Sequence, residues 1–307
     1  MDTRTRRPDL EALPYKAPGY LTPVIFPMLP KAMRQGTVYY SDYITDISAQ
    51  TGRTAGAAPT ENTISDAQTT FNLENDEFID REKIPDGDIA GLGGLDRAQQ
   101  KAARKGKRAV GESIEDLTAA NVLANGSVTY TDVGTDIFSA VDLGINTLVD
   151  RSEGQVALVL ASRIFQTIRS STDMINRMKF TGVPATQLRD VRGIGPDQVA
   201  AALGVDRVLV GPNTAWYDQS ATYRDRAALV VLPDASMDPD EIVQVGRTLW
   251  FSADGNVPTA EAMFEIHTWY SEDKLSEMCD VRAYAEQKVF NVELIYGLDG
   301  VDSSINS

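Results

Sequence analysis

The chain is predicted to be an α+β protein, and three observations carry that expectation. A long amphipathic helical pattern stands alone between Leu95 and Leu117. Residues 136 to 216 alternate helical segments with short, wholly apolar runs, and the last hundred residues are strand-rich. Helices alternating with buried strands make a small open sheet with helical cover. Strict polar-apolar alternation makes a sheet with one face packed and one exposed.

Six of the fourteen prolines fall in the first thirty residues, at Pro8, Pro14, Pro18, Pro23, Pro27 and Pro30. Fixed φ and missing N–H groups exclude helix and central strand there, so an extended arm is expected. Its apolar run from Tyr20 to Leu29, which includes Ile25 and Phe26, cannot bury itself while extended. It needs another surface, its own body or a neighbour.

A strand is expected from Gly36 to Tyr43 and a second from Asn62 to Leu73, with a loose Gly-, Ala- and Thr-rich stretch between them. Neither has a strong apolar face: Ile64 alternates with Asp66 and Gln68, and the other face leads only to Phe71. A lone two-stranded hairpin is marginal in water, so this one must lean on something else.

Leu95, Ala98, Ala102, Val110, Ile114 and Leu117 recur at helical spacing, in a helix that Gly106 and Gly111 should weaken or bend. Its polar face is basic, with Lys101, Arg104, Lys105, Lys107 and Arg108. An acidic stretch precedes it, holding Glu74, Asp76, Glu77, Asp80, Glu82, Asp86 and Asp88. Opposite blocks this close invite salt bridges, within a subunit or between subunits; the bland alternative is a solvated helix face.

Ile137, Val141, Ile145 and Leu148 mark the next helix, with Thr135 or Asp136 as N-cap candidates. Val156 to Leu160 is a buried strand, followed by a helical stretch from Ile164 to Met178. Pro196 sits at a first helical position and Gly204 at a helix stop, after which Val205 to Val210 is a strand cut by Gly211 and Pro212. Further strands are expected at Ala227–Leu232, Thr248–Phe251 and Met263–Tyr270. A long closing strand from Val281 to Tyr296 is expected to end with Phe290, Val292, Leu294 and Tyr296 on one face.

Composition narrows the function classes. A single histidine, His267, and a single cysteine, Cys279, leave little for nucleophilic catalysis or transition-metal binding. His267 lies inside an alternating strand and reads as a strand-face residue; Cys279 has no basic neighbour in sequence and reads as a structural thiol. Asp86 and Asp88 lack the ligand spacing of a calcium loop. Gly91-Leu92-Gly93-Gly94 and Gly193-Ile194-Gly195 complete neither phosphate-loop pattern and read as turns, as does Asn125-Gly126-Ser127. The net charge of −15 argues against a nucleic-acid binder. One cysteine forms no internal disulfide, and neither a signal h-region nor an apolar run of membrane-spanning length is present, so a soluble cytosolic protein is expected.

Taken in order, the parts resemble the major capsid proteins of tailed bacteriophages. The arm carries an "IFP-x-LP" element (Ile25 to Pro30). "PDQVAAALGVDRVLVGPNTAW" (Pro196 to Trp216) is similar to that family's helix and strand of the axial domain. "VRAYAEQKVFNVELIYG" (Val281 to Gly297) is similar to its closing peripheral-domain strand. The resemblance implies an N-terminal arm at 1–33 and an extended β-hairpin loop at 34–75 lying over a neighbouring subunit. It also implies a peripheral domain with a long helix and long strands, from 76–135 and 246–307, and an α/β axial domain at 136–245. It implies a shell subunit without active site or cofactor that assembles with itself as hexamers and pentamers. The further partners would be a separate scaffolding protein, a portal and decoration proteins, with packaged DNA enclosed at weak contact and no membrane. Ile25, Phe26, Arg104, Lys105, Asp76 and Glu77 are the expected intersubunit contacts. An encapsulin-type compartment of the same fold, or an α/β enzyme built on residues 136 to 216 and the acidic cluster, are the alternatives.

Overall fold

Two five-stranded sheets and one long helix organise the chain. The structure, a computed structural model, describes residues 4–13, 19–29, 33–41, 67–73, 77–133, 136–151, 154–180, 194–217, 225–233, 237, 243–251 and 263–301. The first half runs β1 (Thr5–Arg6), α1 (Pro8–Glu11), α2 (Thr22–Ile25), β2 (Gln35–Tyr40), β3 (Ala67–Asn72), β4 (Glu77–Pro85), α3 (Asp86–Ile89), α4 (Leu95–Leu123) and β5 (Tyr130–Asp132). Next come α5 (Ile137–Val149), β6 (Gln155–Ala161), α6 (Ser162–Ser170), α7 (Thr172–Phe180), α8 (Pro196–Leu203), β7 (Arg207–Gly211) and α9 (Asn213–Trp216). The last strands are β8 (Ala227–Leu232), β9 (Gly246–Phe251), β10 (Phe264–Ser271), β11 (Ser276–Val289) and β12 (Ile295–Asp299).

The first sheet is antiparallel, in the order β1-β10-β11-β4, with β9 paired to the far half of β11. Phe264, Ile266, Cys279, Val281 and Ala283 form its inner face against Ala98, Ala102, Ala103, Val110 and Ile114 of α4. The two glycines do not break this helix, which is continuous over 29 residues. Gly106 instead lets it approach the sheet: a Cβ there would stand 2.5 Å from Val281 Cγ2. Lys107 is corrected too. It is not on the polar face but fully buried, with Nζ donating to the carbonyls of Glu11 (2.7 Å) and Leu13 (2.9 Å). Carbonyls of the arm satisfy a cation that burial would otherwise penalise.

The second sheet has the order β5-β12-β8-β6-β7, mixed in direction, with β6–β7 and β12–β5 parallel. The Asp136 carboxylate caps α5 by accepting from the N–H groups of Phe138 and Ser139. Gly204 ends α8 in the left-handed region at φ 76°. The helical stretch expected from 164 to 178 is two helices, and Ser171 Oγ accepts from Met174 N–H at the start of the second.

The closing strand differs from expectation. β11 ends at Val289, where the N–H groups of Phe290 and Asn291 both turn to the Val245 carbonyl; a 3-10 turn follows at Val292–Leu294 and β12 joins the other sheet. The second sheet therefore draws strands from 130–132 and 295–299, outside the expected 136–245.

The arm is not wholly extended either. Pro8 and Pro23 each sit in the first turn of a four-residue helix, where a fixed φ suits and a missing N–H costs nothing. The hairpin forms as expected, from Gln35↔Asn72 to Tyr40↔Ala67, while the expected strand residues 42–43 and 62–66 lie outside the described residues. What it leans on is its own chain: Val38, Phe71 and Leu73 bury against Leu29 and Leu249, and Tyr40 stacks on Phe290 at 4.6 Å.

Candidate assembly surfaces

The six expected contact residues separate. Ile25 and Phe26 have no accessible surface, being spent on the core beside the second sheet, and the Phe26 carbonyl accepts from Thr248 Oγ1 at 2.7 Å. Both side chains are enclosed by their own subunit. Arg104 is exposed on α4; Lys105, also exposed, pairs with Glu82 of its own chain at 2.7 Å. Glu77 pairs with Arg282 at 2.9 Å, and Asp76 lies outside the described residues. Of the two opposite charge blocks, Lys105 and Glu82 are thus joined within the subunit.

The face of the first sheet turned away from α4 carries a network that sequence reasoning missed. Asp280, fully buried, accepts Arg81 through both carboxylate oxygens (2.6 and 2.9 Å) and Arg282 at 3.1 Å. Burial pushes its carboxyl up, but the two guanidiniums outweigh that and hold it below the ordinary carboxylate value. The Trp269 ring is approached by the guanidiniums of Arg4 (4.8 Å) and Arg81 (5.1 Å). Alternating charges in both strands were visible; the register that pairs Arg81 with Asp280 was not.

A second unforeseen centre is Glu115, buried on α4. Its carboxylate accepts the N–H groups of Leu21 (2.7 Å) and Thr22 (3.0 Å), the Thr22 hydroxyl (2.6 Å) and the Trp216 indole N–H (2.5 Å). One side chain thereby ties the arm, the long helix and α9 together. Four donors around one carboxylate offset the cost of burying its charge.

Chemistry of other kinds finds little footing. Burial, then the nearby acids, push the Cys279 thiol to about 12, so it carries no thiolate at neutral pH. His267 is a strand-face residue with Nε2 3.8 Å from Glu265 Oε2. An open cleft of about 380 Å³ is lined by Tyr130, Asp132, Asp225, Asp299 and Gly300. Arg226 pairs with Asp299 at 3.4 Å and stacks over Tyr130, whose phenol burial pushes up to about 12. Among the described residues no group of three or more His, Cys, Asp or Glu is placed to hold a metal ion.

No family model matches the chain, and no curated protein does. Solved structures do. A phage-related protein from Bordetella bronchiseptica superposes with a TM-score of 0.67 at 16% identity, over 98% of each chain. The capsid of cyanophage P-SCSP1u gives 0.55 at 13% identity, over 89% of this chain and 85% of that one. The capsid of cyanophage A-1(L) gives 0.53 at 11% identity, over 95% and 96%. At such identities the likeness is one of fold. That fold, an α+β arrangement with a long helix and two sheets in this chain, is shared with these phage capsid structures.

Proposed function

We propose that the protein is the major capsid protein of a tailed bacteriophage, associating as hexamers and pentamers into the icosahedral head around double-stranded DNA. The likeness in fold carries this reading, because it runs the length of the chain: phage capsids match 89% and 95% of it. The remainder is too short for a catalytic domain of its own. On this reading the subunit works by presenting surfaces, needs no cofactor and turns over no substrate. The unreactive Cys279 thiol and the strand-face His267 support that side of it. The hairpin is read as lying over a neighbouring subunit from a base held on its own sheet, which the cluster of Val38, Phe71, Leu73 and Leu249 supports. A separate scaffolding protein, a portal and decoration proteins complete the proposed partners. The protein would reside in the virion after assembly in the host cytoplasm.

Electron microscopy of the purified protein, alone and with candidate scaffolds, tests the proposal. Closed shells of uniform diameter are expected, and shells isolated from cells should hold DNA. Shells enclosing enzymes instead would make the protein a compartment shell. A protein that stays monomeric and turns over a small molecule would overturn the proposal.

A further inference from the structure

The outer face of α4 is charged in an order that does not serve the helix. Arg97, Lys101, Arg104, Lys105 and Arg108 are all exposed. They form like-charge neighbours at i,i+4 spacing, Arg97 with Lys101, Lys101 with Lys105, and Arg104 with Arg108, an arrangement that weakens a helix. Arg97 also sits in the first turn, where the helix dipole disfavours a cation. Lys105 is neutralised by Glu82. Arg97, Lys101, Arg104 and Arg108 have no ion pair among the described residues, although the chain holds 44 Asp and Glu. Their Cα positions span about 16 Å along the helix axis. Glu112 and Asp116 bound the stripe at its C-terminal end.

The opposite side of the same two-layer unit is different in kind. There Arg81, Arg282, Asp280 and Glu77 are ion-paired with one another. The net charge of −15 does not cancel the stripe, because charges beyond about 8 Å are largely screened at physiological salt. The partner's chemistry follows from what the stripe lacks. A protein interface needs a buried apolar centre, and the one large exposed hydrophobic side chain on α4 is Leu95, at its first residue. Phosphate binding needs none.

We propose that the outer face of α4 is a phosphate-backbone track, on which Arg97, Lys101, Arg104 and Arg108 contact duplex DNA without reading its sequence. Together with the shell reading, on which this second part rests, that makes the helix side of the subunit the lumenal side and the ion-paired sheet face the outer one.

Two experiments test it. Unassembled full-length protein is titrated with a duplex DNA of mixed sequence at several salt concentrations. Four phosphate contacts predict a slope of about −3.6 in log affinity against log salt, a loss of roughly 150-fold between 50 and 200 mM. Replacing the four residues by glutamine should abolish most of the binding and flatten the slope. Wild-type protein that does not bind, a variant that binds equally, or poly-glutamate competing as well as DNA would each overturn the track. In the second experiment Lys101→Cys places a single accessible thiol on the helix, since Cys279 is buried. In intact particles a polymer-linked maleimide too large to cross the shell should leave the new thiol unmodified until the shell is opened, while Cys279 stays unmodified throughout because its own subunit buries it. Labelling of the closed shell would overturn the lumenal assignment while leaving the capsid function standing. Failure of wild-type protein to form shells would sink the capsid function, and the DNA titration would still decide the track.

Discussion

Trp216 donates its indole N–H to Glu115 across 2.5 Å, with both side chains fully enclosed. Glu115→Gln keeps the shape but turns one acceptor into a donor facing other donors. The substitution should cost about 2 to 4 kcal/mol in urea denaturation. A loss under about 0.5 kcal/mol would show that the four hydrogen bonds hold nothing that water could not replace.

Gly106→Ala is a test of sign. On an open helix face the change would stabilise by about 1 kcal/mol through backbone entropy. Against Val281 the new methyl has no room, so a net loss of about 1 to 3 kcal/mol is expected. A raised melting temperature would mean that α4 can lift off the sheet at little cost.

Asp80 and Asp280 should respond to pH in opposite directions. Burial, then Glu82, raise the Asp80 carboxyl above 3.8, and its Oδ2 is buried without a partner. Its charged form therefore subtracts stability above the folded pKa, and the penalty disappears below the unfolded value. Asp80→Asn should raise the melting temperature at pH 7 and leave it unchanged near pH 3. Asp280, held low by Arg81 and Arg282 despite its burial, contributes stability above its unfolded value that is lost as pH falls through the folded one. Asp280→Asn should thus lower the melting temperature at pH 7, with the deficit closing in acid; parallel behaviour of the two variants would refute the assignment.

The Cys279 thiol should resist a water-soluble disulfide reagent in native protein and react in full once denatured. His267→Gln with Cys279→Ala should cost on the order of 1 to 2 kcal/mol and leave shell formation intact. Assembly with loss of some turnover would reveal chemistry in a protein read here as structural.

Local signals were legible where one segment decides its own shape. Asp136 as cap, Pro196 and Gly204 at the two ends of α8, and the apolar run within β6 all lie where their side-chain chemistry put them. What stayed hidden was partnership. Lys107 sits among exposed cations in sequence, and the partners of its buried ammonium, carbonyls of the arm and the Phe264 ring, come from distant segments. Alternation from Val281 to Tyr296 reads as one strand because each half is half-buried, though in different sheets. The arm's proline content argued for extension, yet it is Ile25 and Phe26, not the prolines, that decide where the arm lies. Among the surfaces, unpaired charge on α4 could be read as basic composition, whereas the Arg81–Asp280 pairing needed a register.

The crossing of β12 into the second sheet sets a clock on biosynthesis. β5 gains its partner only when Ile295–Asp299 leaves the ribosome, and β4 waits from Pro85 until its partner Ser276 is made. At about 5 to 20 residues per second, that delay is roughly 10 to 40 seconds. Neither sheet can close on a nascent chain, so a truncated translation product displays unpaired edges instead of finished faces. Only a chain synthesised through Asp299 can pair both sheets, a dependence written into strand order alone.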